Sequence, residues 1–135
     1  MNPRLFTFDI FGTVVDWRAG LRDAAGPIDD ASFDRLIDWQ GREEQREFRP
    51  YREIVSDSLV AVLGLDRDRA DRIGREAGRW PLYPDAREGL RRLQRIAPCV
   101  ALTNSDREHG EQVQAALGYR LSRWWCAEET RAYKP

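Results

Sequence analysis

The chain has 135 residues, of which 41% are hydrophobic and 33% charged, and its formal net charge is -1. This length is typical of one domain with a sizeable core, and the balanced charge argues against nucleic acid as a partner. No apolar run approaches the ~18 residues of a membrane span, and no signal peptide opens the sequence. Cys99 and Cys126 lack metal or redox spacing, so we expect reduced thiols in a cytoplasmic protein.

Asp9 is the first candidate site residue. We predict a buried strand over residues 4–9, because this stretch is apolar and rich in β-formers and a turn with Gly12 and Thr13 follows it. A carboxylate at the end of a buried strand is costly unless it has a function. Active sites of open parallel sheets also lie at the carboxyl ends of strands. We therefore interpret Asp9 as a catalytic nucleophile.

Helical patterns fill the next part of the chain. Residues 31–48 are predicted to form a charged helix, a second helix runs from Pro50 to Gly64, and Asp66 caps a third. This stretch is too long for an ordinary crossover between strands. The sequence therefore predicts an α/β core formed by residues 1–16 and 83–135, with residues 17–82 inserted as a helical cap after the first strand.

Strands and helices alternate in the second half. Asp85 is predicted to cap a helix, residues 99–103 to form a strand, Ser105 and Glu108 to form a capping box, and residues 124–127 to form a third strand. Alternation of this kind indicates a Rossmann-like parallel sheet with helices on both faces. Polar groups follow the apolar segments, so we expect Asp9, Thr103 and Lys134 to meet at one edge of the sheet.

Lys134 is the only lysine among 22 Lys and Arg residues. Lysine offers a compact ammonium, whereas arginine is a planar fork. We expect Asp9 to be partly dehydrated and Lys134 to keep it ionised. His109 is the only histidine, and its polar surroundings predict a surface position.

Three motifs occur in the order found in a known family. Segment 8–18, FDIFGTVVDWR, resembles the first motif of the haloacid dehalogenase superfamily, in its L-2-haloacid dehalogenase branch. Segment 102–105, LTNS, resembles the second motif, and segment 133–135, YKP, resembles the third. Segment 84–90, PDAREGL, resembles the return of the chain from cap to core. The resemblance spans nearly the whole chain.

The resemblance implies roles for individual residues. Asp9 would attack the halogen-bearing carbon of a short 2-haloalkanoic acid, and water would hydrolyse the resulting ester to a 2-hydroxy acid. Lys134 would pair with Asp9, and Thr13 would hydrogen-bond beside it. Thr103 and Asn104 would hold the substrate carboxylate or the departing halide.

Phe11 separates two branches of the superfamily. Its phosphatases carry a second aspartate, two residues after the nucleophile, that protonates the leaving alcohol. Phe11 occupies that position here and would instead form an apolar wall around the substrate. Halide leaves without protonation, so the resemblance implies no metal and no cofactor.

The chain departs from the family pattern in two places. The family has an arginine directly after a tryptophan in the first cap helix. Here Gln40 follows Trp39, and Arg42 is the nearest cation, which makes Trp39 and Arg42 the candidate substrate-binding pair. The chain also ends just after the third motif, and the sequence therefore suggests that C-terminal strands and a fourth, acidic motif are missing.

We interpret the chain as a bacterial-type (S)-2-haloacid dehalogenase-like hydrolase, but the sequence leaves other functions open. The same fold and nucleophile would suit a phosphate ester or a strained ring. A receiver-type phosphoacceptor also uses Asp, Thr and Lys, but on a different strand. An inert fragment acting as an interaction module is a further alternative. We expect a small-molecule substrate and no nucleic acid or membrane partner, and a homodimer stays open.

Overall fold

The computed structural model describes residues 2–135 and contains a three-stranded parallel sheet with strand order β1-β2-β3. The strands are β1 Phe6–Phe8, β2 Cys99–Thr103 and β3 Arg123–Cys126. The helices are α1 Trp17–Ala25, α2 Asp30–Glu44, α3 Tyr51–Leu63, α4 Arg67–Arg75, α5 Ala86–Gln94, α6 Arg107–Leu117 and α7 Ala127–Thr130, with a short 3-10 helix at Ala77–Arg79. The predicted α/β class with a parallel sheet is confirmed.

The strand register brings the ends of β1 and β2 together. Phe8 pairs with Ala101 in β2, and Thr103 pairs with Cys126 in β3. All strands run in one direction, so Asp9 and the residues that follow Thr103 lie together at the carboxyl ends of the strands. This is the usual place for a site in an open parallel sheet.

The long helical segment leaves and re-enters the sheet region at adjacent points. Val15 and Leu82 form an antiparallel bridge. The Asp16 N–H donates to the Pro81 carbonyl at 2.8 Å, and the Tyr83 N–H donates to the Val14 carbonyl at 2.9 Å. Helices α1 to α4 and the 3-10 helix lie between these two crossings, where the sequence predicts an insertion.

Most helix ends follow the local sequence signals. Gly64 ends α3 with a left-handed φ of 65°, and the Asp66 carboxylate accepts from the Arg69 N–H at the start of α4. Asp85 precedes α5, but its side chain makes no capping hydrogen bond. The predicted end of the α2 helix at residue 48 is wrong: α2 ends at Glu44. Pro50 disfavours helical backbone in the residue before it, and residues 46–50 form a loop.

Strand β1 is shorter and more exposed than predicted. It spans Phe6–Phe8, in which Thr7 is exposed and the two phenylalanines are half-buried. Within residues 2–135, β1 is an edge strand that pairs only with β2. The prediction of a buried strand over residues 4–9 is therefore wrong in length and in burial.

The start of α6 differs from the prediction. Asp106 and His109 form the capping box, rather than Ser105 and Glu108, and Ser105 instead accepts a hydrogen bond from the Thr103 hydroxyl at 3.1 Å. His109 is completely buried, so its predicted surface position is wrong. The Asp106 N–H donates to His109 Nδ1 at 3.2 Å, which requires the proton of the neutral ring on Nε2. Nε2 then donates to the Gly74 carbonyl at 2.8 Å.

A glycine allows α4 to pack against α3 at this point. A Cβ at position 74 would lie 2.2 Å from the Arg52 carbonyl oxygen, so a side chain there would separate the two helices. The carbonyl of Gly74 is thereby held within reach of His109. Gly74 therefore connects α4 both to α3, through its close packing on Arg52, and to α6, through its hydrogen bond with His109.

Both cysteines are free and buried. Burial raises the pKa of the Cys99 thiol and of the Cys126 thiol above the usual value, which keeps both protonated near neutral pH. Across residues 2–135, no helix combines the length and the apolar character needed to cross a membrane.

Acid should destabilise the fold through His109. Burial lowers the pKa of His109 below 6.5 in the folded chain, so below that pH the unfolded chain binds the proton more readily. The free energy of unfolding should therefore fall as the pH decreases from about 7 through 6.5. His109→Gln should flatten this dependence and cost ~1–3 kcal/mol at neutral pH. Urea unfolding across this pH range measures both effects, and equal slopes for the two proteins would contradict the prediction.

Candidate active site

The centre of the site is an ion pair between the two ends of the chain. Lys134 Nζ lies 2.6 Å from Asp9 Oδ1 and donates a second hydrogen bond to the Leu102 carbonyl at 2.8 Å. The Thr13 hydroxyl donates to Asp9 Oδ2 at 3.2 Å. Both carboxylate oxygens therefore have a donor, and the carboxylate is held in one orientation.

A tight turn after β1 places Thr13 beside Asp9. The N–H groups of Thr13, Val14 and Val15 all point to the Ile10 carbonyl, at 3.2, 2.7 and 2.9 Å. Gly12 has a φ of 100°, which disfavours any residue with a side chain. The sequence Gly-Thr after the strand therefore directs the threonine hydroxyl back to the carboxylate.

Asn104 holds the segment that carries Lys134. Its Oδ1 accepts from the Lys134 backbone N–H at 2.7 Å. The chain reaches this point from β3 through α7 and then Arg131, which has a left-handed φ of 54°. Asn104 directly follows β2, so the end of the second strand positions the ammonium that binds the end of the first.

The ion pair is partly exposed. The Asp9 side chain is 45% exposed and the Lys134 side chain 40% exposed. Asp9 is therefore partly dehydrated, and its burial goes no further because β1 is an edge strand among residues 2–135 and the cavity beside Asp9 is open. Exposed ion pairs contribute only ~0–1 kcal/mol to stability, so this pair matters mainly for how it orients the carboxylate.

A cavity of about 320 Å³ opens beside Asp9. It lies between α2 and the carboxyl ends of the strands. Its walls combine aromatic and apolar side chains with a few polar groups, and the lining residues are Asp9, Phe11, Trp17, Ile37, Gln40, Gly41, Glu44, Tyr51, Asn104, Lys134 and Pro135. A mostly apolar cleft with few convergent polar groups is typical of a small-molecule site.

One face of α2 forms the wall opposite the strands. Ile37, Gln40, Gly41 and Glu44 follow the i, i+3, i+4, i+7 spacing of a single helix face. Gln40 is buried, and its amide donates to the Ser58 hydroxyl of α3 at 2.9 Å. Sequence reasoning missed Glu44, although this spacing from Ile37 could have identified it.

The structure separates the predicted site residues into two groups. Phe11 and Asn104 line the cavity with Asp9 and Lys134, and Thr13 contacts Asp9 from the turn. Trp39 and Arg42 do not line it, because they lie on other faces of α2; Arg42 is exposed. Thr103 is buried, and its hydroxyl donates to Ser105 rather than toward Asp9. The substrate-binding role of Trp39 and Arg42 and the catalytic role of Thr103 therefore stay predictions, and the cavity lining does not support them.

Asp106 fastens the cavity wall to the sheet. Its carboxylate, completely buried, accepts from the N–H groups of Tyr51 at 2.8 Å and Arg52 at 2.9 Å, and from Arg52 Nη1 at 3.1 Å. Pro50, the residue before α3, supplies no side-chain cap. Asp106 therefore caps α3 from the start of α6, and it fixes the position of Tyr51 in the cavity.

Glu128 extends this network to α7. One of its carboxylate oxygens accepts from Arg52 Nη1 at 3.2 Å, and the other accepts from the Arg107 N–H at 2.8 Å. Helices α3, α6 and α7 are thus joined by two carboxylates and one guanidinium. Asp106 lies 54 and 55 residues from its partners, a separation that local sequence patterns do not reveal.

No group of three or more His, Cys, Asp or Glu side chains within residues 2–135 is placed to hold a metal ion. The absence of a metal requirement stays a prediction from the resemblance.

Solved structures with the same architecture include L-2-haloacid dehalogenases. The chain matches a defluorinating L-2-haloacid dehalogenase with a TM-score of 0.84 and 24% identity over 98% of this chain and 63% of that one. It matches a second L-2-haloacid dehalogenase with a TM-score of 0.81 and 26% identity over 98% and 65%. The L-2-haloacid dehalogenase from Xanthobacter autotrophicus gives 0.81 and 19% over 98% and 60%. A further structure of that protein has chloropropionic acid covalently bound.

The sequence comparisons give no match: no protein-family model and no curated protein is significantly similar. The chain spans 60–65% of the length of the three solved structures described above.

The fold is that of solved L-2-haloacid dehalogenases, and the three ordered motifs resemble those of the haloacid dehalogenase superfamily. The similarity to the L-2-haloacid dehalogenase branch supports the resemblance stated from the motifs.

Removing the Asp106 carboxylate should release α3 from the sheet. Asp106→Ala would leave the Tyr51 and Arg52 N–H groups without their acceptor, whereas the Arg52 guanidinium would keep Glu128. We expect a loss of ~2–5 kcal/mol in the free energy of unfolding, because each buried N–H left without a partner costs ~1–3 kcal/mol. Asp38→Ala, at an exposed position of α2, should change it by less than ~0.5 kcal/mol. Urea denaturation measures both changes in the free energy of unfolding, and equal losses in the two variants would contradict the capping role of Asp106.

Proposed function

We propose that Asp9 is the nucleophile of a hydrolytic dehalogenation that acts on short 2-haloalkanoic acids and closely related 2-halo compounds. The observation that carries the proposal is the Asp9 carboxylate itself, fixed by Lys134 and Thr13 at the mouth of an apolar cavity. The similarity to L-2-haloacid dehalogenases supports it.

The first step forms an ester. An Asp9 oxygen attacks the halogen-bearing carbon, the new C–O bond forms, and the halide leaves with the electron pair of the C–halogen bond. Oδ2, which accepts only from the Thr13 hydroxyl, is the freer of the two oxygens. Oδ1 stays against Lys134, whose charge orients the carboxylate. Covalent catalysis of this kind divides one difficult hydrolysis into two easier steps.

The second step restores Asp9. Water adds to the carboxyl carbon of the ester, and the bond breaks between this carbon and the Asp9 oxygen that had attacked the substrate. The water oxygen stays on Asp9, and the former Asp9 oxygen leaves as the hydroxyl of the product. The product is the 2-hydroxy compound, and one proton is released to solvent. Lys134 faces the negative charge that develops on the carboxyl oxygen during this addition, where a fixed cation lowers the barrier.

Asn104 and Phe11 complete the site in this proposal. Because Asn104 Oδ1 accepts from the Lys134 backbone, its amide hydrogens are left as donors for the departing halide. The Phe11 ring packs with its centroid 6.1 Å from that of Tyr51 and forms part of the apolar wall. It also occupies the position where a phosphatase of this superfamily needs an acid, which disfavours a phosphate ester.

We further propose that residues 17–82 act as a cap over a core made of residues 1–16 and 83–135. Both the cap and the strand ends contribute to the cavity, since α2 supplies one wall and the residues after β1 and β2 supply the other. Substrate would therefore bind at the boundary between the two parts.

Replacing the nucleophile should abolish the reaction. Asp9→Asn keeps the size of the side chain but removes its charge, so chloride release from 2-chloropropionate should fall below detection. Because the Asp9–Lys134 pair is exposed, the thermal midpoint should change little. Ion chromatography measures chloride, and Asp85→Asn, at a helix start outside the cavity, serves as the matched control. Equal chloride release by wild type and Asp9→Asn would refute the proposal.

Lys134→Arg tests whether the site needs the compact shape of the lysine ammonium as well as its positive charge. Arginine keeps the positive charge, but its planar fork cannot reproduce the point contact of the ammonium with Oδ1 and the Leu102 carbonyl. We expect the rate of chloride release to fall by about 10²-fold, as misplacement of a catalytic group by an ångström can produce. A variant with the wild-type rate would show that any cation at this position is sufficient.

A further inference from the structure

Tyr133 links the segment that carries Lys134 to the loop between α2 and α3. The Tyr133 hydroxyl donates to the Arg49 carbonyl at 2.7 Å. Its ring packs on the Phe48 ring at a centroid distance of 5.5 Å, and the Arg131 guanidinium lies 5.3 Å from the centroid of the Phe48 ring. The proposed reaction uses none of these contacts, although they adjoin the residue that supplies the ammonium of the site.

The loop offers Tyr133 a fixed acceptor. Arg49 Nη2 pairs with Asp57 of α3 at 2.7 Å, and Asp57 pairs in turn with Arg67 of α4 at 2.6 Å. Helix α3 begins two residues after Arg49, and its first N–H groups are bound by the buried Asp106 carboxylate. The Arg49 carbonyl is therefore held in place by the packing of the helices around it.

The phenol of Tyr133 stays protonated and therefore stays a donor. A carbonyl oxygen can only accept a hydrogen bond, so the contact with Arg49 requires the proton of the hydroxyl. Burial, and then the negative charges of Asp106 and Glu44, raise the pKa of Tyr133 above its usual value. The link between the loop and Tyr133 is therefore maintained at neutral and mildly alkaline pH.

The position of the Lys134 ammonium depends on contacts other than its ion pair. An exposed ion pair alone holds a flexible side chain weakly, and both partners of this pair are partly exposed. The Lys134 N–H donates to Asn104 after β2, while the preceding residue, Tyr133, is attached to the loop. Because the Cα atoms of neighbouring residues lie only ~3.8 Å apart, a shift of Tyr133 also displaces the start of the lysine side chain.

We propose that Tyr133 is a positioning residue, which sets the place of the Lys134 ammonium through its contacts with Phe48 and Arg49. The loop joins α2, which forms one wall of the cavity, to α3. Movement of this wall and movement of the ammonium are therefore coupled, and Asp9 is oriented for attack when the loop is in place. The kinetic part of the proposal rests on the proposed function, in which Asp9 attacks the substrate.

The single lysine of the chain allows a direct test of this position. Lys134 Nζ donates to Asp9 and to the Leu102 carbonyl, and an ammonium held in this way reacts slowly with an acylating reagent. Mass spectrometry of the peptide that contains Lys134 gives its rate of acetylation by the N-hydroxysuccinimide ester of acetic acid. Tyr133→Phe keeps the ring but loses the hydrogen bond to Arg49. We expect the acetylation rate to rise by about two- to tenfold, the range that corresponds to the loss of one hydrogen bond.

Tyr119→Phe is the matched control for this test. The Tyr119 hydroxyl also donates to a backbone carbonyl, that of Arg87, at 2.6 Å and outside the cavity, so the variant should keep the wild-type acetylation rate. Phe48→Ala changes only the loop side of the contact and should raise the rate as Tyr133→Phe does. Far-ultraviolet circular dichroism checks that each variant is folded. The wild-type rate in either Tyr133→Phe or Phe48→Ala, or an equal rise in Tyr119→Phe, would overturn the proposal.

Kinetic constants separate this role from a general loss of stability. For chloride release from 2-chloropropionate, we expect Tyr133→Phe to lower kcat by about two- to tenfold with KM nearly unchanged, because the orientation of Asp9 changes and the cavity walls do not. Tyr119→Phe should keep both constants. A higher KM with an unchanged kcat in Tyr133→Phe would contradict the positioning role. If no protein releases chloride, the proposed function fails, and the acetylation rates alone decide the role of Tyr133.

Discussion

The ion pair between Asp9 and Lys134 is the contact on which the site depends, because it joins residues separated by 125 positions in the sequence. Three segments must be in place for it to form. The turn after β1 presents the carboxylate, Asn104 after β2 holds the Lys134 backbone, and the chain that follows α7 brings the ammonium to the edge of the sheet. The parallel pairing of β1 with β2 brings the first two segments together.

A second set of contacts holds the wall of the cavity in place beside this ion pair. The buried Asp106 carboxylate replaces the missing cap of α3 and connects the inserted helices to the start of α6. Gln40 then connects α3 to α2 through Ser58. The position of the α2 wall relative to Asp9 therefore depends on these polar contacts. Asp106 must keep its donors, since a buried carboxylate without them is costly. Asp106 immediately follows the second motif, so one segment serves both the ion pair and the cavity wall.

Sequence reasoning succeeded where the determining signal is local. Short-range rules predicted that a strand precedes Asp9, although not its length or burial. They also predicted the glycine turn, the ends of α3 at Pro50 and Gly64, and the cap at Asp66. The pairing of Asp9 with Lys134 followed from the motifs and from the chain's single lysine.

The sequence was less informative where partners are far apart. His109 sits among polar neighbours in the sequence, yet Asp106 and the Gly74 carbonyl satisfy both ring nitrogens and allow the ring to be buried. Trp39 and Arg42 were chosen by analogy with a tryptophan–arginine pair, whereas the helix face that reaches the cavity starts at Ile37 and ends at Glu44. The burial predicted for β1 also failed, because this strand pairs only with β2 among residues 2–135 and leaves Asp9 no more than partly dehydrated.

The covalent role of Asp9 is tested most directly by mass spectrometry of the protein quenched with acid during turnover of a 2-chloro substrate. The account predicts an added mass equal to the substrate without its chlorine, located on the peptide that contains Asp9 and absent from Asp9→Asn. Chloride release without any adduct on that peptide, or an adduct on a different residue, would contradict it.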